Sequence, residues 1–175
     1  AIVPGSCIGR FGIGFKQVLQ ELKTSDDAVI VMTKVADQSF ARLVHFFKND
    51  AGHIYLQDFQ ISIEEIAQIY DLSSPDDLPP SFTQMIVQHA LTTTECDELQ
   101  TYICNKYNRC FTVPIDVNET LINPTEAVLT IAATNVTFMA PDSRVAISID
   151  VDGYTVSDCG PGMTDNILYR SLLNT

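Results

Sequence analysis

The stretch Arg144–Asp158, with the sequence RVAISIDVDGYTVSD, gives the clearest structural signal in the chain. Apolar and polar residues alternate along it, as they do in a β-strand with one buried face. The dipeptide Asp152-Gly153 favours a two-residue turn, in which Val151 would face Tyr154 across a hairpin. We therefore predict an antiparallel β-hairpin with one apolar face and one face of serine, threonine and aspartate.

Outward from this hairpin, further strands are predicted where β-branched and aromatic residues form short runs between turn-forming residues. Ala28–Lys34 begins with a continuous apolar run, which is typical of a strand buried on both faces. Phe40–Phe47 and His53–Phe59 flank a short polar loop and predict a second hairpin. The remaining predicted extended segments are Phe111–Val117, Ala127–Ala133 and Val136–Ala140.

Helices are predicted where apolar residues recur every three or four positions, or where a capping residue precedes acidic residues. Ser62 followed by Glu64 and Glu65 is typical of a helix N-terminus, because the hydroxyl caps backbone N–H groups and the carboxylates favour the helix dipole. The predicted helices are Ile13–Lys23, Ile63–Tyr70, Phe82–Leu91, a helix from Thr94 to about Lys106, and a C-terminal helix beginning at Thr164 or Asp165.

These elements predict an α+β fold with antiparallel sheets, helices packed on one face and a C-terminal third rich in β-hairpins. The chain of 175 residues is long enough to bury one full hydrophobic core. Residues 73–80, SSPDDLPP, form the one stretch that is typical of a linker. The prediction is a single domain over 1–175, with the alternative of two closely packed lobes, 1–72 and 81–175.

The charge of the chain limits its partners. Ten lysines and arginines against 22 aspartates and glutamates give a formal net charge of −12, which disfavours nucleic acid and anionic lipid as ligands. No apolar run approaches the ~20 residues of a membrane-spanning helix, so no membrane span is predicted. Residues 1–50 have six basic and five acidic side chains, a net of +1, whereas residues 51–175 have four and 17, a net of −13. This polarity either serves only to keep the surface solvated or favours head-to-tail association of copies.

The cysteines do not predict a metal site. The chain has five, an odd number, and none of their spacings is C-x-x-C. Three of them lie within 15 residues, where one local disulfide is a hypothesis. The segment 150–153, DVDG, fails the calcium-loop pattern because its glycine is fourth rather than sixth, so no metal is predicted. The cysteines are Cys7, Cys96, Cys104, Cys110 and Cys159.

The compartment in which the chain works has two interpretations. An intracellular or particle-associated protein is the favoured expectation. The alternative is a secreted, disulfide-bonded glycoprotein, in which the sequons at Asn118 and Asn135 would accept glycans.

Residues 5–14, GSCIGRFGIG, have the outline of a phosphate-binding loop ahead of a helix. The segment has neither the dinucleotide pattern G-x-G-x-x-G after a strand nor the Gly-Lys-Ser/Thr of a P-loop. Close packing of the chain before the helix is the simpler explanation for these glycines, and no cofactor is predicted.

One catalytic hypothesis uses Cys7, which lies just ahead of the first predicted helix. Backbone N–H groups at a helix N-terminus lower the pKa of a thiol. His45 or His53 would act as the base and Asp58 as the orienting acid of a cysteine-dependent hydrolase or transferase. The short separation between the cysteine and the histidines argues against a papain-like arrangement.

The absence of a specific catalytic, cofactor or metal pattern favours a non-catalytic structural or assembly protein. It would act through protein–protein contacts, as a homo-oligomer or as part of a viral or other large particle, using strand edges, a flexible N-terminus and its polarised charge. The Cys7-dependent enzyme and the secreted glycoprotein remain the alternatives.

Overall fold

The structure is a computed structural model that describes residues 17–108, 114–122 and 145–169. Within these ranges the chain forms eight strands and three α-helices. The strands are β1 (Ala28–Lys34), β2 (Phe40–Lys48), β3 (Ile54–Ser62), β4 (Phe82–Gln88), β5 (Ile115–Val117), β6 (Thr120–Leu121), β7 (Val145–Asp150) and β8 (Gly153–Asp158). The helices are α1 (Ile63–Ile69), α2 (Thr93–Tyr107) and α3 (Asp165–Leu168), and short 3₁₀ turns lie at Leu19–Glu21 and Pro75–Asp77.

These strands form one sheet in the order β3-β2-β1-β4-β8-β7-β5-β6. Neighbouring strands are antiparallel except β5 and β7, which run parallel. A mostly antiparallel sheet with separate helices confirms the predicted α+β class. The sheet joins strands from both sides of residues 73–80, because β1 pairs with β4. The domain limits themselves stay a prediction.

One face of the sheet, here called the front face, carries the side chains of Val29 and Val31 and of their register partners. Val29 and Val31 are buried together with Phe46 of β2 and Val87 of β4, and Leu168 of α3 packs against them. Helix α2 packs against the β5 and β7 end of the same face. The larger part of the core therefore lies on the front face.

The opposite face, here called the back face, carries Met32 and its register partners. Met32 is buried with Ala41, Ile61 and Phe82, and Ile66 of α1 covers this cluster. Helices thus lie against both faces, which differs from the predicted packing on one face. The reason lies in β1, which is largely buried along its whole length and so has apolar side chains on both faces to remove from water.

The prediction of a helix over Phe82–Leu91 is wrong, because Phe82–Gln88 is strand β4. Phe82, Met85 and Ile86 have the three- and four-residue spacing that is typical of a helix. In the structure β4 is paired on both sides, with β1 and with β8. A central position in the sheet outweighs this local spacing.

The capping signal of α1 is confirmed, whereas α3 begins at Asp165 as predicted but without a side-chain capping bond from Thr164. The described end of the predicted first helix is the 3₁₀ turn Leu19–Glu21. The hydroxyl of Ser62 accepts a hydrogen bond from the N–H of Glu65, whose carboxylate accepts one from the N–H of Ser62. This reciprocal capping box fixes the start of α1. Helix α2 begins earlier than predicted, at Thr93, because Thr92 forms the same box with Glu95.

The C-terminal hairpin is confirmed as β7 and β8, but its predicted register is wrong. Tyr154 lies opposite Ile149, and Val151 lies in the turn. Gly153 belongs to β8, where an added Cβ would come 1.9 Å from the carbonyl oxygen of Val87. The residue opposite Tyr154 is thus two positions earlier than predicted. Because side chains alternate with a period of two, the same apolar residues still share one face of the hairpin.

Other predictions lie outside the described residues. They are the strands Ala127–Ala133 and Val136–Ala140, the first part of the helix Ile13–Lys23, residues 111–113, the glycine-rich segment 5–14, Cys7, Cys110 and Asn135.

Candidate functional site

Strand β3 is the end strand of the sheet, and its outer side has no strand partner among the described residues. Every residue from 54 to 60 is exposed. Four of these side chains are large and apolar, and each keeps a large exposed fraction: Ile54 49%, Tyr55 48%, Leu56 41% and Phe59 46%. A long edge strand with this much exposed apolar surface is rare, because such an edge recruits other strands.

The backbone groups that β3 presents outward follow from its pairing with β2. The N–H of Asn49 donates to the carbonyl oxygen of His53 at 3.0 Å, so residues 49 and 53 form a hydrogen-bonded pair at the loop. In an antiparallel ladder such pairs alternate with non-bonded pairs. Odd-numbered residues of β3 therefore bond to β2, and the N–H and C=O groups of Ile54, Leu56, Asp58 and Gln60 point to the open edge.

The charge on this edge is compensated locally. Asp58 is the one charged residue of β3, and both of its carboxylate oxygens accept hydrogen bonds from the guanidinium of Arg42. Arg42 also donates to Asp165 of α3 at 2.8 Å. The hydrogen bonds to Asp58, with the nearby charge of Asp165, raise the pKa of Arg42 above its ordinary value. An incoming strand would therefore meet no uncompensated charge on β3 itself.

Aromatic side chains continue from the edge onto the back face. The ring of Tyr55 stacks on Phe47 with centroids 5.8 Å apart, and Phe47 lies 5.1 Å from the ring of His45. Phe59 is on the same face as Tyr55, two alternations further along β3. The edge and this aromatic strip together form the candidate site, an interaction surface.

The opposite end of the described sheet is built differently. Its end strand, β6, consists of Thr120 and Leu121 alone. A very short end strand is one of the ways in which proteins protect a sheet edge, as are lysine and proline in the strand. Strand β3 has nine residues and contains neither lysine nor proline.

The structure does not bring the predicted catalytic residues together. His45 pairs with Gln57 and Asp58 with Val44, so alternation puts His45 on the back face and Asp58 on the front. His53 lies in the exposed loop before β3, and its N–H donates to the side-chain oxygen of Asn49 at 2.8 Å. The carboxylate of Asp58 accepts hydrogen bonds from the guanidinium of Arg42. The Cys7 hypothesis stays a prediction, because Cys7 lies outside the described residues.

A histidine–carboxylate pair does occur elsewhere, at a position that no sequence pattern indicates. The buried carboxylate of Asp27 lies 3.0 Å from Nδ1 of His89 and accepts from the N–H groups of Lys23 at 2.8 Å and Thr24 at 2.7 Å. Burial alone would raise the pKa of Asp27, but the hydrogen bonds from Thr24, His89 and Lys23 outweigh it and lower the pKa below 3.8. The pair joins the turn before β1 to the end of β4.

The cysteines of α2 act as core residues. Cys96 and Cys104 are free thiols that pack with Ile149 of β7, and Sγ of Cys96 donates to the carbonyl oxygen of Asp150 at 3.2 Å. Eight residues along one helix place the two thiols about 12 Å apart, which is too far for a disulfide between them. A disulfide between Cys96 and Cys104 is therefore excluded, and pairings with Cys110 lie outside the described residues.

The sequon residue Asn118 serves the fold. Its side-chain oxygen accepts from the N–H of Ile149 at 2.8 Å, and its amide nitrogen donates to Gln100 of α2 at 3.3 Å. Asn118 thus ties the turn after β5 to β7 and α2. A glycan on this nitrogen would compete with the bond to Gln100.

Two other kinds of site are absent from the described ranges. No group of three or more histidine, cysteine or acidic side chains there could hold a metal ion. No helix there has the length and apolar character needed to cross a membrane.

Comparisons with protein-family models, curated proteins and solved structures found no match for this chain.

Proposed function

We propose that this chain is a non-catalytic structural or assembly protein that binds a protein partner by adding a strand to the β3 edge. The observation that carries the proposal is the exposure of residues 54–60 on a nine-residue end strand. The outward N–H and C=O groups of four residues would pair with an incoming backbone, as in other proteins that bind by strand addition. Membership of a viral or other large particle rests on the sequence alone.

The apolar side chains supply the energetic reason for strand addition. Complete burial of a large apolar side chain contributes about 1.5–3 kcal/mol, so covering the exposed half of one contributes roughly 1 kcal/mol. Four such side chains would contribute roughly 4 kcal/mol before the entropy of association is subtracted. A free energy of about −4 kcal/mol corresponds to a dissociation constant of about a millimolar, so we expect weak association that is seen at high protein concentration.

The test compares oligomeric state in the wild-type chain and two variants by native mass spectrometry and analytical ultracentrifugation. Leu56→Lys places a charge on the β3 edge, where lysine is a natural protection against pairing. Val151→Lys makes the same chemical change on a side chain that is 52% exposed in the β7–β8 turn, and is the matched control.

We expect wild type and Val151→Lys to form a defined multiple of 19.3 kDa and Leu56→Lys to be monomeric while still unfolding in one cooperative transition. A wild-type chain that stays monomeric at high concentration and binds no protein partner would overturn the proposal. Equal association of both lysine variants would also count against the β3 edge.

A further inference from the structure

Strand β3 can pair with β3 of a second copy that runs in the opposite direction. Its seven exposed residues, 54–60, are centred on Gln57. If two copies pair antiparallel about a two-fold axis at Gln57, each exposed residue finds a partner within the exposed run of the other copy. Axes at Leu56 or at Phe59 would leave part of the run without a partner.

The carboxylate of Asp58, although paired with Arg42, disfavours the neighbouring register. An axis at Asp58 would place two carboxylates directly opposite each other, and like charges in that position are destabilising. An axis at Gln57 places Asp58 opposite Leu56 of the partner subunit instead. Each Asp58 also keeps its own Arg42 on the same face of the sheet.

The aromatic side chains favour the same axis. With Gln57 at the centre, Tyr55 lies opposite Phe59 of the partner subunit, and symmetry forms this pair twice. Odd-numbered residues of β3 bond to β2, so these positions are non-bonded pairs at the new junction, where Cα atoms are only about 4.5 Å apart and side chains are closest. Cross-strand aromatic pairs stabilise a sheet more than most other pairs do. The stack of Phe47 on Tyr55 would continue across the junction.

We infer that the partner at the β3 edge is a second copy of this chain, paired antiparallel about a two-fold axis at Gln57 into one continuous sheet. This inference rests on the proposed function, since it names the occupant of the same edge. A closed two-fold contact uses the same patch on both copies and therefore gives a dimer.

The test is a disulfide placed on the axis. Gln57→Cys would bring two thiols together across a non-bonded pair, within the Cα separation that a disulfide accepts. Gln60→Cys is the matched control, an exposed glutamine on the same strand, whose two copies would be about 20 Å apart in this register. Each variant is oxidised with copper phenanthroline, which accepts the two electrons as the two thiols lose their protons.

The crosslinks are identified by peptide mass spectrometry, which separates them from disulfides of the native cysteines. We expect a wild-type dimer, and in the Gln57→Cys chain a disulfide between the two copies of position 57 that forms at least tenfold faster than the corresponding disulfide in the Gln60→Cys chain. A dimer that does not crosslink through position 57, or that crosslinks through position 60 as fast as through 57, would overturn the inferred register and leave the proposed function standing. A chain that binds a different protein through β3 but never itself would also overturn only this inference. A chain that forms no complex through β3 would overturn both.

Discussion

At the scale of single residues, Asp27 links parts of the fold that are far apart in sequence. It holds the N–H groups of Lys23 and Thr24 in the turn before β1 and contacts His89 after β4. The lowered pKa of Asp27 means that the ionised carboxylate stabilises the folded chain. Stability from a depressed pKa is fully present above the unfolded pKa and is lost as the pH falls through the folded value.

We predict that Asp27→Asn lowers the free energy of unfolding by about 1–3 kcal/mol at pH 7, since hydrogen bonds to a buried charged group are lost. The difference from wild type should narrow as the pH falls below the ordinary aspartate pKa of 3.8, because the carboxylate of the unfolded chain then takes up a proton while that of the folded chain, with its lower pKa, still holds its charge. Urea unfolding between pH 3 and pH 7 measures both effects. Asp26→Asn, an exposed neighbour, should change stability by less than about 0.5 kcal/mol. A difference that stays constant over this pH range would contradict the role given to the charge.

The sequence alone is enough to argue against His45 and Asp58 as partners in a catalytic site. His45 and Asp58 lie on adjacent strands of one predicted hairpin. Side chains alternate along each strand, and the register that the short loop allows puts these two on opposite faces. The ion pair between Asp58 and Arg42 cannot be predicted from the sequence in this way, because it depends on the pairing of β2 with β3 and on the position of α3.

At the scale of elements, Gly153 fixes the hairpin that dominates the C-terminal third of the sequence. It has φ +137°, and an added Cβ would lie 1.9 Å from the carbonyl oxygen of Val87. The close approach lets the turn residue Asp152 accept a hydrogen bond from the N–H of His89 at 3.0 Å. The glycine is needed for contact between β4 and β8, which is why it lies in the strand and the turn falls one position earlier than its sequence predicts.

We predict that Gly153→Ala destabilises the chain by about 3 kcal/mol or more, because both the backbone conformation and the contact with Val87 become strained. Gly52→Ala is the matched control. Gly52 also has a positive φ, +82°, but an added Cβ there would meet nothing closer than Cε of Lys48 at 3.8 Å. That variant should lose only about 1–2 kcal/mol. Urea unfolding of the two variants checks the difference, and equal losses would show that the approach to Val87 is unimportant.

The elements that the sequence predicts well are those whose signals are local. Ser62 and Glu65 lie three residues apart, and both halves of their capping box are visible in the sequence. Strand β4 is mistaken for a helix because its identity depends on β1 and β8, which are distant along the chain. Local spacing at Met85 and Ile86 carries no information about those neighbours.

At the scale of the whole molecule, the α+β class is predictable from the sequence but the order of strands is not. A hairpin between β2 and β3 follows from the loop that joins them. That β3 should be an end strand follows only from the absence of a further described strand beside it, which is a property of the complete sheet. The composition of β3 therefore predicts a strand, whereas its role as an interaction surface needs the structure.

Pairing at the β3 edge and head-to-tail association are the two modes of association considered for the whole molecule. The affinity between copies responds to salt in opposite directions in these two modes. Two copies that each carry a formal charge of −12 repel one another, and salt screens that repulsion. The β3 edge is compensated by Arg42, so pairing there uses no long-range attraction between copies. Head-to-tail association between residues 1–50 and 51–175 would depend on such attraction and would weaken with salt.

We predict that raising sodium chloride from about 0.05 M to 1 M, which shortens the screening length from over 10 Å to about 3 Å, strengthens dimerisation of the wild-type chain several-fold. Sedimentation equilibrium at both salt concentrations gives the dissociation constants. Leu56→Lys, examined in parallel, should remain monomeric throughout, because added salt screens charge but does not restore apolar contact at the edge. If the wild-type dimer instead dissociates at 1 M salt, association depends on the polarised charge. The β3 edge is then not the contact between copies.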